Sequence, residues 1–276
     1  MAKKNDADRM TDKTDGTAVQ GTEMDKNMAM DIAMDMGKLL LKSGAETSRV
    51  EETMLRFCRG CGYSDLNVVC MPTVIILGDE STEGKNRVFR VHRRFIDLGV
   101  IMAVNSLSYN FRRLKPDYNS MKLLLNGMAE KKPLYGRFSV CAAAGLGSAF
   151  FSTLLGGSMP DFAAAFLTCF AAMWLLKLMT ASHLGNFWQN WLAGFVIGII
   201  ASVCCALNKG CTTQNVIVGA LMPFLPGLSF TNGVRDYIAG DLLSGGSRIA
   251  EAVLMALSLA IGLIFALKLW RYAAIC

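Results

Sequence analysis

Residues 219–246, GALMPFLPGLSFTNGVRDYIAGDLLSGG, set backbone breakers beside groups that ionise. Pro223 and Pro226, with Gly227 directly after, interrupt an apolar run. Thr231, Asn232, Arg235 and Asp236 follow, and then Asp241, Arg248 and Glu251. Proline removes a backbone donor and clashes with the preceding turn. Inside lipid, the freed carbonyls must meet protein or a water-filled cavity. The spacing therefore predicts a broken membrane helix whose open backbone faces something polar, a construction common in transport sites. If the helix resumes after Gly227, Asn232 and Arg235 share a face and Asp236 lies one turn beyond Asn232. Ionisable groups at membrane depth cost about 2.5–3.5 kcal/mol on insertion scales, so they pair and mark pathways. A carboxylate held there can take up a proton. Two plainer readings compete: a proline kink that only shapes packing, and charges that merely solvate a loop. A break that forms a site, with charges at its cytoplasmic mouth, accounts for both features.

Such a site needs a membrane domain to hold it, and the charge distribution supplies one. The chain of 276 residues is 53% hydrophobic with net charge +6. Residues 1–133 carry 21 of the 28 Lys and Arg and 18 of the 22 Asp and Glu. Between Phe138 and Val234 only Asp161, Lys177 and Lys209 are charged. One soluble domain would spread charge over its whole surface, so two environments are indicated. We expect an α-helical membrane protein with an N-terminal cytoplasmic α+β domain: a disordered polar tail at 1–27, the α+β domain at 28–133, and a membrane domain at 134–276. Five spans are expected at 136–156, 161–180, 187–207, 214–232 and 249–270, each near the ~20 residues that cross a bilayer. No secretory signal opens the chain. Arg112, Arg113, Lys115, Lys122, Lys131, Lys132 and Arg137 crowd the entry to the first span, which puts the N-terminus in the cytoplasm and, after five spans, the C-terminus outside.

In the first half, residues 28–59 show helical periodicity, with Ser43, Thr47 and Ser48 placed to cap a break or restart. LNVVCMPTVIIL (66–77) reads as one strand, with Pro72 forcing an edge or a bulge. GDESTEGKN (78–86) reads as a loop and RVFRVH (87–92) as a second strand, and helices follow at 97–111 and 117–131. Arg87, Arg90, Arg93 and Arg94 are basic enough to touch anionic headgroups, but a solvated strand edge is the simpler reading.

Several chemistries are weakly supported. Cys58 and Cys61 form a single Cys-x-x-Cys, and His92 and His183 do not complete a metal set at usual spacing, so helix-end thiols are the simpler reading. Cys141, Cys169, Cys204 and Cys205 lie in apolar runs and read as small hydrophobes. Ser43, His92 and Asp97 invite a hydrolase reading, but no Gly-x-Ser-x-Gly elbow or phosphate-binding loop is present. No metal, cofactor, nucleic-acid partner or enzymatic activity is expected. Asp161 after Pro160 reads as a helix N-terminal charge. Gly194, Gly198, Gly145 and Gly147 are placed for close helix approach.

A resemblance then becomes specific. GKLLLKSGAETSRVEETM (37–54), MPTVIIL (71–77), RVHRRFIDLGVIMAVNSL (90–107) and PGLSFTNGVRDYIAGDLLSGGSRIAEAVL (226–254) are similar to the threonine/serine exporter family, in particular the larger component of its split two-subunit members. The resemblance implies a proton-driven secondary exporter of threonine and serine, or of small dicarboxylates such as succinate, in the bacterial inner membrane. It also implies a small membrane subunit that completes the transporter. On this sequence, Pro226 and Gly227 would form the break and Thr231 and Asn232 would touch substrate. Arg235 would hold a carboxylate, and Asp236, with Asp241 or Glu251, would couple protons. A five-helix core with an open side also makes a homo-oligomer an expectation. The competing class is a membrane-anchored sensor or scaffold whose α+β domain binds a ligand.

Overall fold

The computed structural model describes residues 24–80, 86–91, 95–114, 116–130, 135–179 and 185–275. Most of the polar tail, together with His92, Arg93, Arg94, Lys115, Lys131, Lys132 and His183, lies outside the described residues. The chain divides into two compact units, one drawn from Met1–Ala45 and Arg49–Glu130, the other from Glu46–Ser48 and Lys131–Cys276.

The first unit contains α1 (Lys26–Lys42), α2 (Thr47–Gly60, of which Arg49 onward belongs here), β1 (Leu66–Met71), β2 (Val74–Asp79), β3 (Arg87–Arg90), α3 (Leu98–Leu114) and α4 (Tyr118–Ala129). The strands form an antiparallel sheet in the order β1-β2-β3. The expected single strand at 66–77 is instead a hairpin. Met71 pairs with Val74, and Pro72–Thr73 turn the chain between them. Proline's fixed φ suits the first central position of a tight turn, which is why Pro72 closes a hairpin here. Met30, Leu40 and Leu41 of α1 pack with Met54, Phe57, Ile75, Leu77, Val104, Met121 and Leu125 in one buried core. Each such side chain contributes about 1.5–3 kcal/mol of hydrophobic stabilisation. Lys26 donates to Asp65 (2.5 Å) and Asp79 (2.7 Å), and these carboxylates raise its pKa. Cys58 is buried at the end of α2, and burial pushes both its thiol and that of Cys61 up to about 12. At neutral pH both are protonated thiols and not the thiolates that act as nucleophiles.

The second unit holds α5 (Arg137–Leu154), α6 (Met159–Leu178), α7 (Asn186–Leu207), α8 (Thr213–Leu221), α9 (Gly227–Ile238) and α10 (Leu242–Ile275). Among the described residues, α6, α7 and α10 are long and apolar enough to cross a membrane. The pair Thr213–Phe224 and Gly227–Ile238, bent by 57° at its break, passes the same test together, as a broken span or a re-entrant loop. This is an α-helical membrane protein. Small residues set the helix packing. A Cβ on Gly145 would press on Phe166 at 3.0 Å, and one on Gly198 would meet Ala266 Cβ at 2.6 Å, whereas Gly147 faces open space. Ser148 Oγ donates across to the Ala165 carbonyl at 3.1 Å. Asp161 is buried at the start of α6, where it accepts from the Ser158 N–H (2.8 Å) and also from the Thr212 N–H (2.5 Å). It therefore caps α6 and ties that end to the start of α8. Cys205 is not simply a small hydrophobe: the turn between α7 and α8 brings it to Cys211, and the two form a disulfide. Helix α10 begins seven residues before the expected 249, because Gly245 and Gly246 are accommodated inside it.

Candidate functional site

The break between α8 and α9 is built by its prolines. Pro223 sits in a 3-10 turn at Met222–Phe224, Leu225 is extended, and Pro226 occupies the N-cap of α9. The Pro226 carbonyl accepts from the Phe230 N–H at 3.0 Å, so the helix restarts at Gly227. Proline lacks the N–H that a continuous helix would use here, and an N-cap needs none for its own ladder.

α9 ends in a Schellman turn. The Asp241 N–H donates to the Asp236 carbonyl (2.9 Å) and the Gly240 N–H to the Tyr237 carbonyl (3.2 Å), with Gly240 at φ 96°. Only glycine takes that conformation without steric cost. The Asp241 carbonyl then accepts from the Gly245 N–H at 2.8 Å and starts α10. The two helices touch backbone to backbone. A Cβ on Gly245 would lie 2.7 Å from the Gly233 carbonyl oxygen and 2.7 Å from the Tyr237 nitrogen. One on Gly233 would lie 3.0 Å from Arg248 Cβ.

That approach sets Asp236 against Arg248. Asp236 Oδ2 lies 3.1 Å from Arg248 Nε, and their side chains are 0% and 4% exposed. Breaking such a buried pair leaves an uncompensated charge, which costs far more than an exposed pair contributes. A second ion pair joins Arg235 Nη1 to Glu46 Oε1, with Arg235 59% exposed and Glu46 14%. The residue after Glu46, Thr47, is fully buried, and its hydroxyl donates to Asp241 Oδ2 at 3.4 Å. Three carboxylates and two guanidinium groups thus gather where α9 meets α10. A guanidinium binds a carboxylate through a planar fork, and a carboxylate paired to it can exchange that partner for a proton.

Of the residues expected from sequence, Arg235, Asp236 and Asp241 come together here. Asn232 is half-buried one turn before Asp236, and Glu251 is half-buried three residues after Arg248. Thr231 is exposed on α9. Pro226 and Gly227 stand at the start of α9, with Gly227 nine residues and about 14 Å of helix axis from Asp236. They shape the span rather than touch the ionic cluster. The expected loop from Arg235 to Arg248 is mostly helix, with only Ala239–Asp241 between α9 and α10. Three contributors were missed: Arg248 as the partner of Asp236, and Glu46 and Thr47. The last two lie inside the GAETS stretch that carries part of the family resemblance, but no spacing rule links them to residues about 190 positions away.

A family model described as "Putative threonine/serine exporter" matches residues 31–270. The "Probable succinate transporter subunit" of Escherichia coli K12 is 24% identical over 242 residues, covering 87% of this chain and 93% of that protein. The corresponding Klebsiella aerogenes protein is 23% identical, covering 91% of this chain and 98% of its own. A Corynebacterium glutamicum "Threonine/serine exporter" is 24% identical, covering 88% of this chain but 50% of that longer protein. No solved structure matches the chain. A helical membrane unit with a sharply bent helix pair and a buried ion pair, together with relatives of these kinds, defines a membrane transporter. The chain belongs to the threonine/serine exporter family.

Proposed function

We propose that this chain is the larger subunit of a proton-coupled secondary exporter for small carboxylate solutes, either threonine and serine or a dicarboxylate such as succinate. In this reading it acts in the bacterial inner membrane. α5 serves as a span before the other four, the first unit lies in the cytoplasm, and the C-terminus lies outside. A small membrane subunit completes the solute path. The observation that carries the reading is the buried Asp236–Arg248 pair beside the exposed Arg235. In this reading the exposed Arg235 holds the solute carboxylate, and Asp236, paired to Arg248 beside it, is the group that exchanges the proton. Relatives named as succinate transporter subunits and as a threonine/serine exporter support both cargo classes.

The test is efflux from preloaded proteoliposomes under an imposed proton gradient, with this chain alone and with its small partner, comparing labelled threonine, serine and succinate. Gradient-dependent efflux that needs both subunits is the expected result. Absence of efflux for every solute, with insertion verified, refutes the reading.

A further inference from the structure

We propose that Glu46 occupies the subsite of the transported solute's carboxylate and thereby sets which solutes are accepted. This rests on the exporter reading above. The two ion pairs of the site differ in kind. Asp236 and Arg248 are both buried, whereas Arg235 is 59% exposed and only its partner, Glu46, is enclosed, at 14%. A solute can therefore approach Arg235 from the open side while Glu46 is held from behind.

The holding is local and specific. Helix α1 ends in a Schellman turn, with the Ala45 N–H donating to the Leu40 carbonyl (3.1 Å), the Gly44 N–H to the Leu41 carbonyl (3.2 Å), and Gly44 at φ 82°. Glu46 follows within two residues, and Thr47 fixes the next position through its bond to Asp241. Glu46 is thus bonded directly to a residue that is itself tied to the site, which keeps its carboxylate near Arg235.

Exchange is energetically feasible at this pair. Ion pairs with an exposed member contribute little, because water and salt compete with them. A free carboxylate can take the guanidinium fork from Glu46 with no bond made or broken, only partners traded. After the trade Glu46 still stands close by with its negative charge. It attracts an ammonium group set beside the solute's carboxylate, as in threonine or serine, and repels the second carboxylate of a dianion. Glu46 is therefore a specificity-determining residue that favours zwitterionic amino acids over dicarboxylates.

The test uses inverted membrane vesicles from cells in which a Glu46→Gln chain replaces the parent, with uptake of labelled threonine and succinate measured against concentration. The KM for succinate should fall, and the succinate-to-threonine ratio of kcat/KM should rise by about two- to fivefold, the range that an exposed pair supports. Glu46→Asp should keep the parent's preference. In an Arg235→Gln background the Glu46→Gln effect should vanish. An unchanged ratio in vesicles whose parent transports overturns this inference and leaves the exporter reading standing. The same holds for a purely structural outcome, in which the unfolding midpoint falls but the preference does not. Uptake of neither solute by the parent overturns both.

Discussion

Asp236→Asn keeps the shape of the side chain and removes its charge, leaving Arg248 buried against a neutral amide. The Asp236 side chain is 0% exposed and that of Arg248 is 4%, at 3.1 Å. Taking one member from a buried pair costs about 3–5 kcal/mol, because the remaining charge loses its compensation. For a chain of this size about 2–4 °C of unfolding midpoint follows each kcal/mol, so a drop on the order of 6–20 °C is expected. Thermal unfolding of the purified protein in detergent reads this directly. Asp236→Asn with Arg248→Gln removes both charges and should recover most of the lost midpoint. Neither variant should export, since the proton-accepting carboxylate is gone from both. If Asp236→Asn unfolds within about 2 °C of the parent, the pair does not hold α9 against α10, and the electrostatic account of the site fails. If the double variant exports at parental rates across several pH values, Asp236 has no part in coupling.

Gly245→Ala should separate α9 from α10, because its new methyl would sit 2.7 Å from two backbone atoms that cannot rotate away. Overpacking of this sort costs about 1–3 kcal/mol, whereas Gly147→Ala, with open space around it, should change the midpoint negligibly. The Cys58 and Cys61 thiols, pushed up to about 12 by burial, should resist iodoacetamide at pH 8 in the folded protein. Rapid labelling of both would refute their burial. Their linkage has a definite sign. Unfolded thiols lose protons near pH 8.5 while the folded ones keep theirs, so stability falls between about pH 8.5 and 12 by about 1.4 kcal/mol per unit per thiol. Cys58→Ala with Cys61→Ala should flatten that slope in denaturant titrations run from pH 8 to 10.

The helices of the second unit were legible because lipid demands long apolar runs and punishes interruptions. The sequence placed α6, α7 and the proline break close to where they occur. The early start of α10 was not legible. Gly245 and Gly246 look like breakers when read locally, and only the contact of Gly245 with α9 shows why a side chain is excluded there. The Pro72 hairpin was missed for a related reason, since a short strand and a strand–turn–strand share the same β-branched composition. At the site, Arg235, Asp236 and Asp241 could be named because they are neighbours in sequence. Arg248 is paired to Asp236 by a helix crossing, and Glu46 reaches Arg235 across 189 positions. Both contacts are products of tertiary packing, and hydrophobic periodicity does not encode them.

The length of α10 works as a depth gauge. Its 34 residues run about 50 Å at 1.5 Å each, well beyond the ~30 Å hydrocarbon thickness of a bilayer. Arg248 and Lys268 stand twenty residues apart, a rise of about 30 Å, so a nearly upright α10 puts one cation at each boundary of the oily layer. Leu242–Ser247 then project as a turn and a half of helix among the headgroups. With α10 upright, Asp236, Asp241 and Arg235 would lie at the rim of the hydrocarbon and not at its midplane. A solute bound there would give up its water on one side only. Most of its dehydration, and so most of the barrier to crossing, would belong to the stretch of protein that begins where this cluster ends.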